Sequence, residues 1–561
     1  MPGRQASVTK LLDIFISGVQ QPLWIMFAAV GFMLLIACSN VATLLLARAT
    51  ARQRELAIRN AMGASRKLIL RQLLTESVLL SIIGGVLGVF MSSWGLSLLR
   101  AAKPANLPRV DAISLHPWVL VFTAAVSILT GILFGLVPAL HASKTTVNDL
   151  LKNSVRSTSR RTGISRGVLV GTEFALALVL LIGAGLTIKS FARLLSESLG
   201  FVPENLTTFQ LSLAPQKYDA KAGLKMLDHF RDETRSIPGV ENAAYANGAP
   251  LVSTTSQSFY RMEENMHDLR ALHEAVMNMT TPEYLDTMKI TLVRGRFLNQ
   301  GDRADTPRVA VVDQDLATEV FPGRDPIGQR IKFGDNDKPN IMEIVGVVAH
   351  VKQYGLDEPN PVRQEFYIPF TQAPADYLPD ALRQICIVVR STGDTSALVE
   401  GMRSKLAQID STLPLYSVKT YDEVIKDNSE VRRFTTSLLA AFAVIALVLA
   451  AIGIYGVLSY AVEQRTREIG IRMALGASGI AVVRMIVAQA MRTVALGLLA
   501  GLLAALALTR YMSAILYGVK SWDPVVFAGI TGLLATVALL ASYIPARRAT
   551  NVDPIVAVRY E

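Results

Sequence analysis

Seven apolar runs dominate this chain, and each is long enough to cross a bilayer. They lie roughly at 23–47, 74–99, 118–140, 167–189, 435–460, 482–509 and 525–545. A helix needs about 20 apolar residues to cross some 30 Å of hydrocarbon. In lipid, only such helices or closed barrels satisfy their own backbone hydrogen bonds. Composition agrees. Apolar residues make up 51% of the 561, charged residues 18%, and mean hydropathy is +0.37, whereas a soluble domain carries nearer ~25% charge. The chain reads as an integral membrane protein with a sizeable polar part. Glycines within the runs (Gly84, Gly85, Gly88; Gly497, Gly501) permit close helix–helix approach.

The formal net charge of +11 would also suit a nucleic-acid partner, but its distribution argues for topology. Connector 48–72 carries seven Lys or Arg against Glu55, and connector 141–166 six against Asp149. Connector 461–481 holds Arg465, Arg467 and Arg472, and the tail holds Arg547, Arg548 and Arg559. If seven spans alternate, all four lie on one side, which the positive-inside rule makes the cytoplasm. The N-terminus is then extracytoplasmic and the C-terminus cytoplasmic, in the inner (plasma) membrane. Membrane lipid is the expected surrounding, and no nucleic acid is implied. The first twenty residues lack the short apolar core and cleavage site of a signal peptide.

Segment 190–434 is polar, falls outside the cell, and is long enough to bury its own core. Its pattern is mixed α/β. Strands are expected at Thr207–Leu213 and Val240–Tyr245 around a helix at Ala222–Ser236, broken by Pro238-Gly239. The order returns with a strand at Gln384–Arg390, a helix at Ser396–Ile409 and a strand at Leu415–Thr420. Short strands such as Val309–Val312 and Ile341–Val348 lie between. Two subdomains are expected, the outer one inserted in the one nearer the membrane.

The chain also repeats itself. Arg54-Glu55-Leu56-Ala57-Ile58-Arg59-Asn60-Ala61-Met62-Gly63-Ala64-Ser65 recurs 413 residues later as Arg467-Glu468-Ile469-Gly470-Ile471-Arg472-Met473-Ala474-Leu475-Gly476-Ala477-Ser478, with 8 of 12 positions identical. Spans one to three and five to seven share one order: span, charged connector, span, short outer loop, span. Each set ends in a Pro-Ala exit, Pro138-Ala139 and Pro545-Ala546. Both copies enter the membrane in the same direction, so the repeat is parallel. Within the connector, Glu55 with Arg59 and Glu468 with Arg472 form i,i+4 pairs. Gly63 and Gly476 suit a left-handed helix stop, and Ser65 and Ser478 suit the cap of the next helix. The spacing predicts helix, elbow, helix on the inner face. A loop that only fixed topology would need positive charge but no set order of Arg, Glu, Gly and Ser.

Several chemistries are unsupported. No Gly-x-x-x-x-Gly-Lys-Ser/Thr loop exists, and no nucleophile elbow, so no enzyme activity and no cofactor is expected. The six His (His116, His141, His229, His267, His273, His350) are scattered, and Cys38 and Cys386 are too far apart in character to pair. Neither a metal site nor a disulfide framework is expected. Ion-coupled transport needs ionisable groups at mid-membrane. Glu76 and Glu173 lie near span ends and read as interfacial carboxylates.

The connectors, the Pro-Ala exits and three outer stretches resemble the MacB/FtsX-type ABC transporter permeases. The outer stretches are Phe321-Pro322-Gly323-Arg324-Asp325-Pro326-Ile327-Gly328, Pro282-Glu283-Tyr284-Leu285 and Arg294-Gly295-Arg296-Phe297. The pattern is most similar to the duplicated, acidobacterial-type permease subgroup. The resemblance implies an α-helical membrane protein of seven transmembrane helices in two permease repeats, with one large α+β periplasmic domain. It divides the chain into an extracytoplasmic remnant at 1–22, a first FtsX-like repeat at 23–141, a basic cytoplasmic linker at 142–166, a fourth span at 167–189, a MacB-like periplasmic domain at 190–434 and a second FtsX-like repeat at 435–561. Members of the duplicated subgroup have eight spans and two periplasmic domains, so this chain is expected to lack the first of each, as a truncated product. The resemblance further implies a separate cytoplasmic ATPase, docked on coupling helices, whose motion reshapes the periplasmic domain for export or efflux, a process called mechanotransmission. Carried onto this sequence, the ATPase-coupling residues are Arg54, Glu55, Arg59, Gly63, Ala64, Arg467, Glu468, Arg472, Gly476 and Ala477. The alternative is an FtsX-type regulatory protein that controls an extracytoplasmic partner without moving cargo. The resemblance names no substrate.

Overall fold

The computed structural model describes residues 11–51, 62, 65–102, 116–143, 157–253, 256–262, 273–333, 340–357, 364–464, 466–475, 477–513 and 516–550. The chain divides into two units, residues 1–193 with 431–561, and residues 194–430.

The first unit is helical. It is built from α1 (Leu11–Ala51), α2 (Arg66–Ala102), α3 (Pro117–Ser143) and α4 (Ser157–Ser196). All seven apolar runs fall on helices. Among the described residues, six stretches are long and apolar enough to cross a membrane: Pro22–Leu45, Leu70–Ser97, Gly167–Ser196, Tyr421–Val462, Gly479–Met512 and Pro524–Arg548. The seventh, Pro117–Leu133 in α3, is shorter. α2 and α3 pack through small residues. A Cβ on Gly131 would lie 2.7 Å from Ser81 Oγ, and one on Gly135 the same distance from Ser77 Oγ. Contact this close is what associates helices where the surroundings are as apolar as their side chains. The core of the unit forms on α4, where Phe174, Leu178 and Ile182 recur at i, i+4 and i+8 and are fully buried.

The second unit is α/β. Its elements are β1 (Leu206–Leu211), α5 (Ala220–Arg235), β2 (Val240–Ala246), β3 (Ser256–Met262), β4 (His273–Thr280), β5 (Leu292–Gly295), β6 (Val309–Asp313), α6 (Gln314–Val320), β7 (Arg330–Phe333), β8 (Ile341–Val348), β9 (Glu365–Pro369), β10 (Ile385–Ser391), α7 (Thr395–Ile409) and β11 (Tyr416–Thr420). Strands β11-β1-β10-β2 form one antiparallel stretch, with Phe209 opposite Ile387 and Ile387 opposite Tyr245. Each terminal β-α-β unit thus holds the other's strand between its own, a split β-α-β arrangement. Helix α5 starts where Asp219 accepts from the Ala222 amide, and it buries Met226, Leu227 and Phe230. α7 buries Leu398, Met402 and Leu406. Each fully buried side chain of this size contributes about 1.5–3 kcal/mol.

The strands between the two units close on themselves. β4 pairs β3, then β7, β8, β6 and β9 follow, and β9 pairs β4 in parallel, Met277 opposite Phe366. Closure removes exposed strand edges. Among the described residues, β2 joins this ring through a single pair, Ala246 with Thr280.

The chain then continues through α8 (Tyr421–Gln464), α9 (Thr466–Ala474), α10 (Gly479–Met512) and α11 (Pro524–Ala549). Asp523 starts α11 by accepting from Val525 and Val526 and pairs with Lys189 at 2.5 Å.

Candidate functional site: the repeated connector

The second copy of the repeated stretch folds as a short helix, an elbow and a capped helix. α9 ends at Ala474, the Leu475 amide bonds back to the Ile471 carbonyl and the Ala477 amide to that of Arg472, each at 3.0 Å. Ser478 is extended (φ −67, ψ 145), and its hydroxyl accepts from the Ala481 amide to cap α10. Both expectations for this copy, the helix and the serine cap, describe what forms.

α9 has two faces. Ile469 is buried against Val482 of α10, with Val462, Met473 and Ile486 around them. This contact fixes the helix on the end of the following span. The other face carries Glu468 and Arg472, paired at 2.6 Å and about half exposed. An exposed i,i+4 pair contributes only a few tenths of a kcal/mol, so it holds side chains in place more than it stabilises the fold. Arg472 also places Nη1 2.8 Å from Met485 Sδ. Arg467 lies in α9, and Ala477 lies in the elbow. Gly476, and Arg54, Glu55, Arg59, Gly63 and Ala64 of the first copy, lie outside the described residues.

Two described residues of the first copy are informative. Ser65 precedes α2, and its carbonyl accepts from Leu68 at 2.9 Å. Met62 is 76% exposed, and its counterpart Leu475 is 83% exposed. A large apolar side chain is thus exposed at the matching sequence position of both copies. Sequence reasoning did not single out this pair, because an apolar residue in a polar loop gives no local sign of its exposure.

The structure also adds what the sequence did not show. Glu173, read from sequence as an interfacial carboxylate near a span end, is packed inside the helical unit, 1% exposed. Two contacts surround it that were not legible in sequence, with Asn40 and with Gly453. In the α/β unit, His350 meets two acids. Its Nδ1 lies 2.7 Å from Asp313 Oδ2 and 3.7 Å from Asp315 Oδ2. The three are close enough to hold a metal ion, but an ordinary His–Asp hydrogen bond accounts for the contact with Asp313. Asp313 Oδ1 already accepts from the Leu316 and Glu365 amides, which leaves Oδ2 for the imidazole.

Comparison with known proteins places these features. The family described as FtsX-like permease C-terminal matches residues 27–147 and 440–554. The two matches begin 413 residues apart, the offset of the repeated connector. The family described as MacB-like periplasmic core domain matches residues 167–405. Similar curated proteins include the macrolide export ATP-binding/permease protein MacB of Syntrophobacter fumaroxidans, 24% identical over 57% of this chain and 52% of that protein. The MacB of Bradyrhizobium diazoefficiens is 27% identical over 64% of this chain and 53% of its own length. The uncharacterized ABC transporter permease YknZ of Bacillus subtilis is 25% identical over 59% of this chain and 79% of its own length. The chain spans about half the length of the two MacB proteins it matches.

Proposed function

We propose that this chain, which belongs to the MacB/FtsX-type ABC transporter permeases, relays ATP-driven motion from a separate cytoplasmic ATPase to its α/β unit, for export across the inner membrane. The observation that carries this reading is the twice-used connector. In the copy that is described, α9 is anchored by Ile469 and turns Glu468 and Arg472 outward. An exposed apolar side chain occupies the matching position of each copy, Leu475 at the elbow after α9 and Met62 in the first copy. An apolar tip beside a charged face is the composition of a protein interface, with a desolvated centre and a polar rim.

These 561 residues contain no phosphate-binding loop, so in this reading the driving motion reaches them from an ATPase outside this stretch. The coupling surface comprises Arg54, Glu55, Arg59, Gly63 and Ala64 on one connector and Arg467, Glu468, Arg472, Gly476 and Ala477 on the other. The arginine excess of the connectors supports a cytoplasmic position for both, with segment 190–434 outside. Gly-to-Ser order then has a mechanical purpose: it sets the elbow that joins each coupling helix to the span it moves.

Co-expression with a genomically adjacent ABC ATPase, followed by affinity capture of this chain, tests the reading. Wild type is expected to capture the ATPase, and Glu55→Ala with Glu468→Ala to reduce capture at least about tenfold, a loss of ~1.4 kcal/mol. Unaltered capture by the double variant overturns the assignment.

A further inference from the structure

Three helices of the membrane unit meet at a polar cluster that no described role uses. α1 contributes Ser39 and Asn40, α4 contributes Glu173, and α8 contributes Gly453. All four are buried, Asn40 at 7% and Glu173 at 1% exposure. Ser39 donates to the Leu169 carbonyl of α4 at 3.1 Å, and Asn40 Nδ2 donates to the Leu449 carbonyl of α8 at 3.0 Å. The second bond fixes the amide: turned over, Asn40 would point an oxygen at a carbonyl oxygen.

Gly453 leaves the room that the cluster fills. A Cβ there would lie 2.3 Å from Asn40 Oδ1 and 2.4 and 2.6 Å from Glu173 Oε2 and Oε1. Asn40 Oδ1 and Glu173 Oε1 therefore crowd one small space, and neither has a hydrogen-bond partner. Two buried acceptors facing one another, with no hydrogen between them, are unfavourable. An ionised carboxylate there would add the cost of a charge among apolar helices.

We propose that Glu173 binds a proton and donates the resulting O–H to Asn40 Oδ1, forming an intramembrane proton-binding site that fastens α1, α4 and α8 together. One hydrogen satisfies both orphaned oxygens. Asn40 Nδ2 is already committed to the Leu449 carbonyl, so the proton on Glu173 supplies the hydrogen that Asn40 Oδ1 lacks. The site joins the first span of each repeat to the span between them. Loss of the proton would place a charge at the junction and loosen it. This inference concerns the helical unit alone and does not depend on the ATPase assignment.

Infrared spectroscopy of the full chain in lipid nanodiscs tests it. A protonated-carboxyl C=O band is expected that disappears in Glu173→Gln and persists in Glu76→Gln. Asn40→Ala, which leaves Glu173 in place, is expected to move that band to higher frequency as the O–H loses its acceptor. If Glu173→Gln fails to fold, the Asn40→Ala shift decides. Absence of any band that responds to these two variants overturns the proposal. So does a carboxylate band at Glu173 that responds to sodium, which would mean a bound cation fills the space instead.

Discussion

Glu365 begins β9 fully inside the α/β unit. It accepts from Tyr367 Oη at 2.7 Å, Gln353 Nε2 at 3.1 Å and Asn278 Nδ2 at 3.3 Å. Burial, and next the nearby charge of Asp313, push its carboxyl up to about 8. Asp313 is also raised by burial, with the His350 hydrogen bond opposing. The sign of the effect on stability follows by linkage. Between the ordinary glutamate range near ~4.3 and about 8, the unfolded chain has lost this proton while the folded chain keeps it. Stability therefore falls as pH rises through that window. Removing the titration with Glu365→Gln is expected to flatten that fall. Thermal unfolding of the full chain, followed from pH 5 to 9, checks this, with roughly 2–4 °C expected for each kcal/mol regained near the upper end. Parallel slopes for parent and variant would show that Glu365 does not hold the proton.

At the scale of elements, α4 and α10 approach more closely than side chains allow. A Cβ on Gly497 would lie 2.4 Å from the Gly171 carbonyl oxygen and 2.9 Å from its Cα. That neighbour is backbone and cannot rotate away, so Gly497→Leu is expected to force the helices apart and destabilise the unit by about 1–3 kcal/mol. Gly84→Leu, on a face with nothing within 4 Å, is expected to leave the unfolding temperature unchanged. Equal effects of the two would contradict the close crossing. The sequence foretold many such elements well. The helix read at Ala222–Ser236 forms as α5, that at Ser396–Ile409 as α7, and the strand at Ile341–Val348 forms as β8 with the same bounds. Period and turn chemistry are local, so they survive in the sequence. Ring closure was not legible, because pairing Met277 with Phe366 depends on a register that no local pattern encodes. The burial of Glu173 was not legible for the same reason. Its distance along the run suggested an interface, and only the contacts of α1 and α8 reveal its burial.

Across the whole molecule, one helical unit carries two copies of a connector, and one α/β unit lies between the two copies in sequence. The repeat was legible because identical residues recur at one offset. What the repeat touches was not, since a partner's residues leave no mark in this sequence. The central claim is that the connectors receive an ATPase. A photo-crosslinking residue in place of Glu468, in cells that also express the ATPase, tests this most directly, with the same residue at the exposed Asp325 of the α/β unit as reference. The account predicts an adduct between this chain and the ATPase from position 468 and none from position 325. An adduct from position 325, or none from position 468 while the two proteins co-purify, would contradict it.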